Sequence, residues 1–245
     1  MSTVGRIALI TGANKGIGFE IARQLGVQGI TILAGVRNQD RGAVAVAQLC
    51  AEGIEAKAVH LDVTDQATID AAVTWIDQTH GRLDILVNNA GISRREGSTP
   101  PSELALEAVR DTFATNVFGV FAVIKALLPL LRRSEAGRIV NLSSEMGSLT
   151  FSSDPASFAA YLPPTLAYNA SKTALNALTV FFAKELRDTP IKINSVSPGY
   201  VATDLNAHSG YLTPEQGAKV PVAFANLPAD GPTGGFFGAE GAIAW

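Results

Sequence analysis

Six short, almost wholly apolar runs separated by helix-length stretches leave this chain few folds to adopt. They occupy 6–11, 30–36, 57–61, 83–88, 138–142 and 191–196. Runs without polar alternation suit strands covered on both faces, as in a parallel sheet lying under helices. The stretches at 16–26, 41–52, 68–80 and 102–133 have the length and composition of those helices. Strand and helix in alternation predict an α/β, doubly wound Rossmann fold with helices on both faces of a mostly parallel sheet. No linker or internal repeat interrupts the pattern, so residues 1–245 read as a single domain.

Composition narrows the partners. The chain is 47% hydrophobic, carries 23 glycines and has a formal charge of −3, with a pI of about 5.6. Neither nucleic acid nor an anionic membrane surface is the expected partner of such a surface. A single cysteine, Cys50, excludes an intramolecular disulfide framework and a Cys-rich metal site. His60, His80 and His208 show no metal-ligand spacing, so no metal is expected. His60 falls inside an apolar strand pattern and reads as structural. The first residues lack a basic region followed by a long apolar run, and no uncharged segment reaches membrane-span length. A cytoplasmic protein, with no membrane partner, is the expectation. Two helices are apolar on more than one face. Ala170, Ala174, Ala177 and Phe181 form one stripe beside Leu175, Leu178 and Phe182. Phe113, Val117, Val120, Ile124 and Leu127 form another beside Phe118, Phe121 and Leu128. A surface helix needs one stripe. The second must meet a partner subunit or another piece of the chain, and both a monomer and a homodimer fit that requirement.

The first strand runs into Thr11-Gly12-Ala13-Asn14-Lys15-Gly16-Ile17-Gly18 and then a helix. Glycines there permit a tight turn and close backbone approach to a pyrophosphate at the helix N-terminus. Strand before and helix after is the context that dinucleotide binding requires. An NAD site usually places an acid at the end of the second strand, to hold the ribose. This chain has Arg37 there, suited to a 2′-phosphate, and Lys15 adds a second positive charge, so NADP(H) is the expected cofactor. Asp40 and Arg41 read as solvent-facing.

Tyr168 and Lys172 stand four apart in Ala167-Tyr168-Asn169-Ala170-Ser171-Lys172. On a helix the two lie on one face, a turn apart. A phenol with its ordinary pKa of about 10 is a poor acid-base group at neutral pH. A neighbouring ammonium should lower that value and make Tyr168 a general acid-base catalyst.

Together these motifs resemble the short-chain dehydrogenase/reductase family over essentially the whole chain. The resemblance implies that Asp62 and Val63 contact adenine and that Asn89, Ala90 and Gly91 lie beside the cofactor. It assigns Asn116 to the family's helix-embedded asparagine. Ser144 matches the catalytic serine, although adjacent Ser143 cannot be separated from it by residue type. Pro198, Gly199, Val201 and Thr203 fall in the segment that surrounds the nicotinamide. Asn14-Lys15, Val36-Arg37 and the end from Gly234 to Trp245 are similar to the carbonyl reductase subgroup. That end reads as a last strand and closing tail, which makes the sheet seven-stranded.

The resemblance implies hydride transfer between nicotinamide and a small-molecule carbonyl substrate. Tyr168 would protonate the oxygen, Ser144 orient it, and Lys172 hold the nicotinamide ribose. Asn116 would bind a water linking Lys172 to solvent, or would mark a helix distortion with a satisfied side chain. Ser144 and Tyr168 are 24 positions apart, about twice the usual family spacing. The insertion at 146–165 (with Phe151, Pro155, Phe158, Tyr161 and Pro163-Pro164) either covers the second helix stripe, walls the substrate site, or is a surface loop. The segment 204–224 reads as a substrate lid, and Arg94 and Arg95 would add charge if they point inward. The leading expectation is an NADPH-dependent reductase of aldehydes, ketones or quinones. An NADP-dependent alcohol or steroid dehydrogenase and a non-catalytic NADP-binding regulator are the alternatives.

Overall fold

The computed structural model describes residues 5–94, 99–157 and 165–245. The strands are β1 (Ile7–Thr11), β2 (Thr31–Val36), β3 (Ala56–His60), β4 (Ile85–Asn88), β5 (Arg138–Leu142), β6 (Lys192–Val196), β7 (Phe236–Gly238) and β8 (Gly241–Ala242). They form one sheet in the order β3-β2-β1-β4-β5-β6-β7-β8. Seven strands are parallel, as expected. The eighth, two residues long, turns back antiparallel from β7. It escaped the sequence pattern because two residues carry no periodicity.

The apolar runs are explained by two cores. Ile7 and Leu9 face one cluster with Leu86, Ile139 and Ile193. Ala8 and Ile10 face the other with Ile32, Val87 and Val140. A strand packed on both faces has no position where a polar residue is tolerated without a partner. Helices α1 (Gly16–Gly26), α2 (Gln39–Ala51) and α8 (Pro214–Ala225) cover one face, while α3 (Gln66–His80), α5 (Val120–Leu131) and α7 (Leu166–Glu185) cover the other. Helix starts are set by capping. Asn38 accepts from the Arg41 amide at 2.9 Å, and Asp65 from the Ala67 amide at 2.9 Å. Both helices therefore begin two residues before the expected positions.

The expected helix at 102–133 is continuous from Leu106 to Leu131 but not uniform. It comprises α4 (Leu106–Phe113), a π-helical turn (Ala114–Gly119) and α5. By length and composition it is apolar enough to cross a bilayer, where no such segment was expected. Here Val123, Ile124, Leu127, Leu130 and Leu131 of this helix are packed into the core. Of the two α7 stripes, Leu175 and Phe182 are buried and Phe181 is exposed, as are Phe118 and Phe121. The segment most suited to cover them, with Phe158, Tyr161 and the Pro163-Pro164 pair, lies outside the described residues. His60 is exposed, because β3 is the edge strand and only Val59 of its five residues is fully buried.

Candidate active site

Strand order reverses between β1 and β4, which opens a crevice at their carboxyl ends. The glycine turn lines it. Gly12 (φ +69°) and Gly16 (φ +57°) occupy left-handed backbone, and a Cβ on Gly18 would stand 2.4 Å from Asn89 Nδ2. The turn is knitted to β4. Thr11 Oγ1 accepts from the Asn89 and Ala90 amides, each at 3.0 Å, and Asn89 Nδ2 donates to the Thr11 carbonyl at 2.8 Å. No side chain caps α1, whose N-cap is Lys15. Uncapped amides at a helix N-terminus are a ready seat for a pyrophosphate. This structure thus fits a dinucleotide at Gly12, Asn14, Gly16, Ile17 and Gly18.

Beside the turn is a cleft of about 500 Å³ lined by Asn14, Lys15, Asp40, Arg41, Val44 and Asp204. Arg37 is exposed at the end of β2. Arg41 is exposed, as expected, and lines this cleft from the first turn of α2, which the Asn38 cap begins. Asp40 lines it too. Lys15 is paired with Asp204, and Asp204 with His208 at 2.8 Å. Hydrogen bonds from Lys15 and His208, with the Lys15 charge, hold the Asp204 carboxyl below its ordinary range. Burial alone would raise the Asp62 carboxyl, but hydrogen bonds from the Thr64 amide and hydroxyl, with Arg37 and His60 nearby, hold it low. Val63 is buried, its carbonyl 2.7 Å from where a Cβ on Gly119 would stand.

Across the crevice, α7 carries Tyr168 and Lys172. Lys172 Nζ lies 5.6 Å from the Tyr168 ring centroid and donates to the Leu142 carbonyl at 2.7 Å. Ser144 follows β5, its hydroxyl close enough to the Tyr168 phenol to favour the phenolate. It also accepts from the Met146 amide at 3.3 Å, which starts a single 3-10 turn. Ser143 is buried and points the other way, toward the Lys172 carbonyl at 3.5 Å. Geometry thus separates the two serines in favour of Ser144.

The expected electrostatics need correction. Burial pushes the Tyr168 phenol above its ordinary pKa, opposed by the Ser144 hydroxyl. Burial also pulls the Lys172 ammonium down to about 8. Lys172 faces the Tyr168 ring and gives one of its N–H donors to Leu142, and desolvation is the dominant influence on the phenol.

Asn116 sits in the π turn with its side chain fully committed. Nδ2 donates to the Ile92 carbonyl at 2.9 Å and to Ser171 Oγ at 3.0 Å, and Oδ1 accepts from the Ile92 amide at 2.9 Å. The helix distortion with a satisfied side chain, one of the readings of Asn116, is present as this π turn. Gly91 has Asn116 and Lys172 as neighbours, since a Cβ there would lie 3.4 Å from Asn116 Oδ1 and 3.7 Å from Lys172 Nζ. Gly147 went unnoticed in the sequence. A Cβ there would lie 2.7 Å from the Lys172 Cβ, so the loop after Ser144 rests directly on α7.

After β6, Gly199 takes φ +80° and Val201 bridges to Leu212. Pro198 begins the turn, and Thr203 returns to the glycine turn, its Cγ2 3.6 Å from the place of a Gly16 Cβ. Tyr200, Leu205 and Tyr211 are exposed along this segment. Arg94 is exposed and paired with Asp111 at 2.7 Å, not turned inward. Arg95 lies outside the described residues.

With the glycine turn and the Tyr168 cluster opening on one crevice, the fold is that of a dinucleotide-dependent oxidoreductase. Residues 6–211 match the family model for short chain dehydrogenase, and the chain belongs to that family. It is 35% identical to (−)-isopiperitenone reductase of Mentha piperita, over 100% of this chain and 99% of that protein. It is 34% identical to carbonyl reductase [NADPH] 1 of Bos taurus, over the full length of both. Among solved structures, NADPH-bound carbonyl reductase from chicken fatty liver superposes with a TM-score of 0.86 at 27% identity, covering 99% of each chain.

Proposed function

We propose that this enzyme reduces the carbonyl group of an aldehyde, ketone or quinone to an alcohol with NADPH. The reading is carried by one observation: the Ser144 and Tyr168 hydroxyls meet beside a buried Lys172, at the crevice that holds the glycine turn. The similarity to carbonyl reductases, one of them NADPH-bound, supports the cofactor and the substrate class.

NADP(H) is the group this crevice takes, and when bound it supplies the hydride. Gly12, Asn14, Gly16, Ile17 and Gly18 hold the pyrophosphate, and Asp62, Val63 and Asn89–Gly91 flank the adenine and ribose. Arg37, Arg41 and Lys15 would hold the 2′-phosphate, for which Lys15 would give up its pairing with Asp204. Pro198, Gly199, Val201 and Thr203 close the nicotinamide end. Ser144 donates to the carbonyl oxygen and orients it, and Tyr168 gives its proton to the same oxygen as negative charge develops there. A phenol pushed up by burial stays protonated at neutral pH, which suits donation and hence reduction. Lys172 holds the ribose hydroxyls and restores charge next to Tyr168. Asn116 is a positioning residue that ties the π turn to the Ile92 backbone. Of the expected 204–224 lid, residues from Pro214 on form α8 and are packed on the sheet, which leaves 204–213 to act as the lid; exposed Leu205 and Tyr211, with Tyr200 just before them, favour an apolar or mixed substrate. The free, exposed thiol of Cys50 suits a reducing compartment such as the cytoplasm.

The direct test is NADPH oxidation across a panel of aldehydes, ketones and quinones, with NADH in parallel; silence across the panel would remove the proposal. Arg37→Asp should lower the NADPH/NADH ratio of kcat/KM about 10- to 100-fold, the worth of one charge-assisted hydrogen bond. An unchanged ratio would take Arg37 out of the cofactor site.

A further inference from the structure

Two guanidiniums at the opposite end of the sheet play no part in this chemistry. Arg6 immediately precedes β1 and Arg138 opens β5, so both lie at the amino-terminal edge of the strands, away from the crevice. With Gln28, Ala136, Asn226, Leu227 and Pro228 they line a cavity of about 260 Å³. Arg138 is only 1% exposed. Its Nε donates to the Leu227 carbonyl at 2.8 Å, and its Nη1 to the carbonyls of Gly137 (2.8 Å) and Pro190 (3.2 Å). Its Nη2 is engaged by none of these acceptors. Arg6 donates to Asn226 Oδ1 at 3.1 Å and to the Ala225 carbonyl at 3.0 Å. Every one of these acceptors is neutral.

Among the described residues, neither guanidinium meets a carboxylate. Asp84 is the acid whose field reaches Arg6. Its oxygens are already taken by the Ile7 amide at 2.9 Å, the Ser134 hydroxyl at 2.6 Å and Arg82 at 3.3 Å. The Ala225 carbonyl belongs to the end of α8, where the helix dipole supplies roughly half a negative charge. Half a charge does not offset two. Burial pulls both guanidiniums below their ordinary range, and Arg138 also feels Arg6 as a like charge. Buried charges in folded proteins are ordinarily paired, because desolvation is otherwise uncompensated. Among the described residues, buried Arg138 and part-buried Arg6 have no carboxylate partner, and both line a cavity with room for one.

We propose that this cavity is a binding site for a small free oxyanion, phosphate- or carboxylate-like, held between Arg6 and Arg138. The guanidinium fork matches two oxygens of such an anion, and the free Nη2 of Arg138 supplies donors for it. The site lies outside the catalytic crevice, so its occupancy bears on stability rather than on hydride transfer.

The test is thermal unfolding of NADPH-saturated protein, whose crevice cations are already covered. Inorganic phosphate, sulfate, acetate or citrate is added at constant ionic strength against chloride. At ten times its Kd, a bound anion should raise Tm by about 3 to 6 °C. Phosphate and sulfate acting alone would assign a tetrahedral anion, and acetate or citrate acting alone a carboxylate; both results support the site. Arg6→Gln keeps a donor toward Asn226 and removes one charge, and it should abolish most of the increment, as should Arg138→Gln. No rise with any of these anions would overturn the proposal. So would an Arg6→Gln protein whose Tm falls equally with and without anion, the signature of a purely structural arginine.

Discussion

Tyr168→Phe should lower kcat for carbonyl reduction about 10²- to 10⁴-fold while leaving NADPH binding within a few-fold of wild type. The range is that of one positioned proton donor, equivalent to about 3–5 kcal/mol of barrier. The substitution removes a single oxygen from a part-buried ring on α7 and leaves the glycine turn untouched. Ser144 remains to polarise the carbonyl but has no means of passing a proton at neutral pH, because its own hydroxyl is a far weaker acid than a phenol. Cofactor binding by fluorescence titration and turnover by NADPH absorbance separate the two effects. A variant that turns over nearly as fast as wild type would mean that the proton comes from elsewhere.

Lys172→Met should lose turnover as well, but its second effect is the more diagnostic. Burial holds the Lys172 ammonium at about 8 against an ordinary 10.5, a difference of about 3 kcal/mol against the charged form. The folded protein therefore resists a proton that the unfolded chain accepts. Below pH 8 the group is charged in both states and the folded state bears the full penalty. Between pH 8 and 10.5 the folded state sheds its proton first, the unfolded chain binds more protons, and wild-type stability rises with pH. Methionine carries no such penalty, although it leaves the Leu142 carbonyl without its donor, at about 1–3 kcal/mol. The stability of Lys172→Met relative to wild type should thus fall by about 2–3 kcal/mol between pH 7 and pH 10, measured by urea denaturation without cofactor. A difference that stays flat with pH would mean that Lys172 is not held as a costly charge in the unliganded fold.

Much of this was legible in the residues themselves. Runs such as Ile7–Thr11 show strands with two buried faces, and the glycines at 12, 16 and 18 show a tight strand-to-helix turn. Tyr168 and Lys172 share a helix face because the spacing demands it. Other features depend on tertiary placement, which spacing does not encode. The Tyr168 phenol moves opposite to expectation because packing buries it, and burial disfavours the phenolate. A helix distortion at Asn116 is one reading of a polar residue inside an apolar helix, but periodicity reports faces and does not tell a widened π turn from regular helix. Arg41 lines the cleft beside the glycine turn because Asn38 caps its helix, and Ser143 and Ser144 are separated only by which way β5 ends. Arg138 reads as a polar strand end and is instead one of the most deeply buried side chains of the fold.

The measurement that bears most directly on the account follows the transferred hydrogen. Wild-type enzyme is given NADPH deuterated at its transferable position and a ketone it reduces, and the product is examined by mass spectrometry and NMR. The account predicts one deuterium on the carbinol carbon of the alcohol, with the hydroxyl proton drawn from Tyr168 and hence from solvent. Oxidation of the labelled cofactor without carbon-bound deuterium in an alcohol would contradict it.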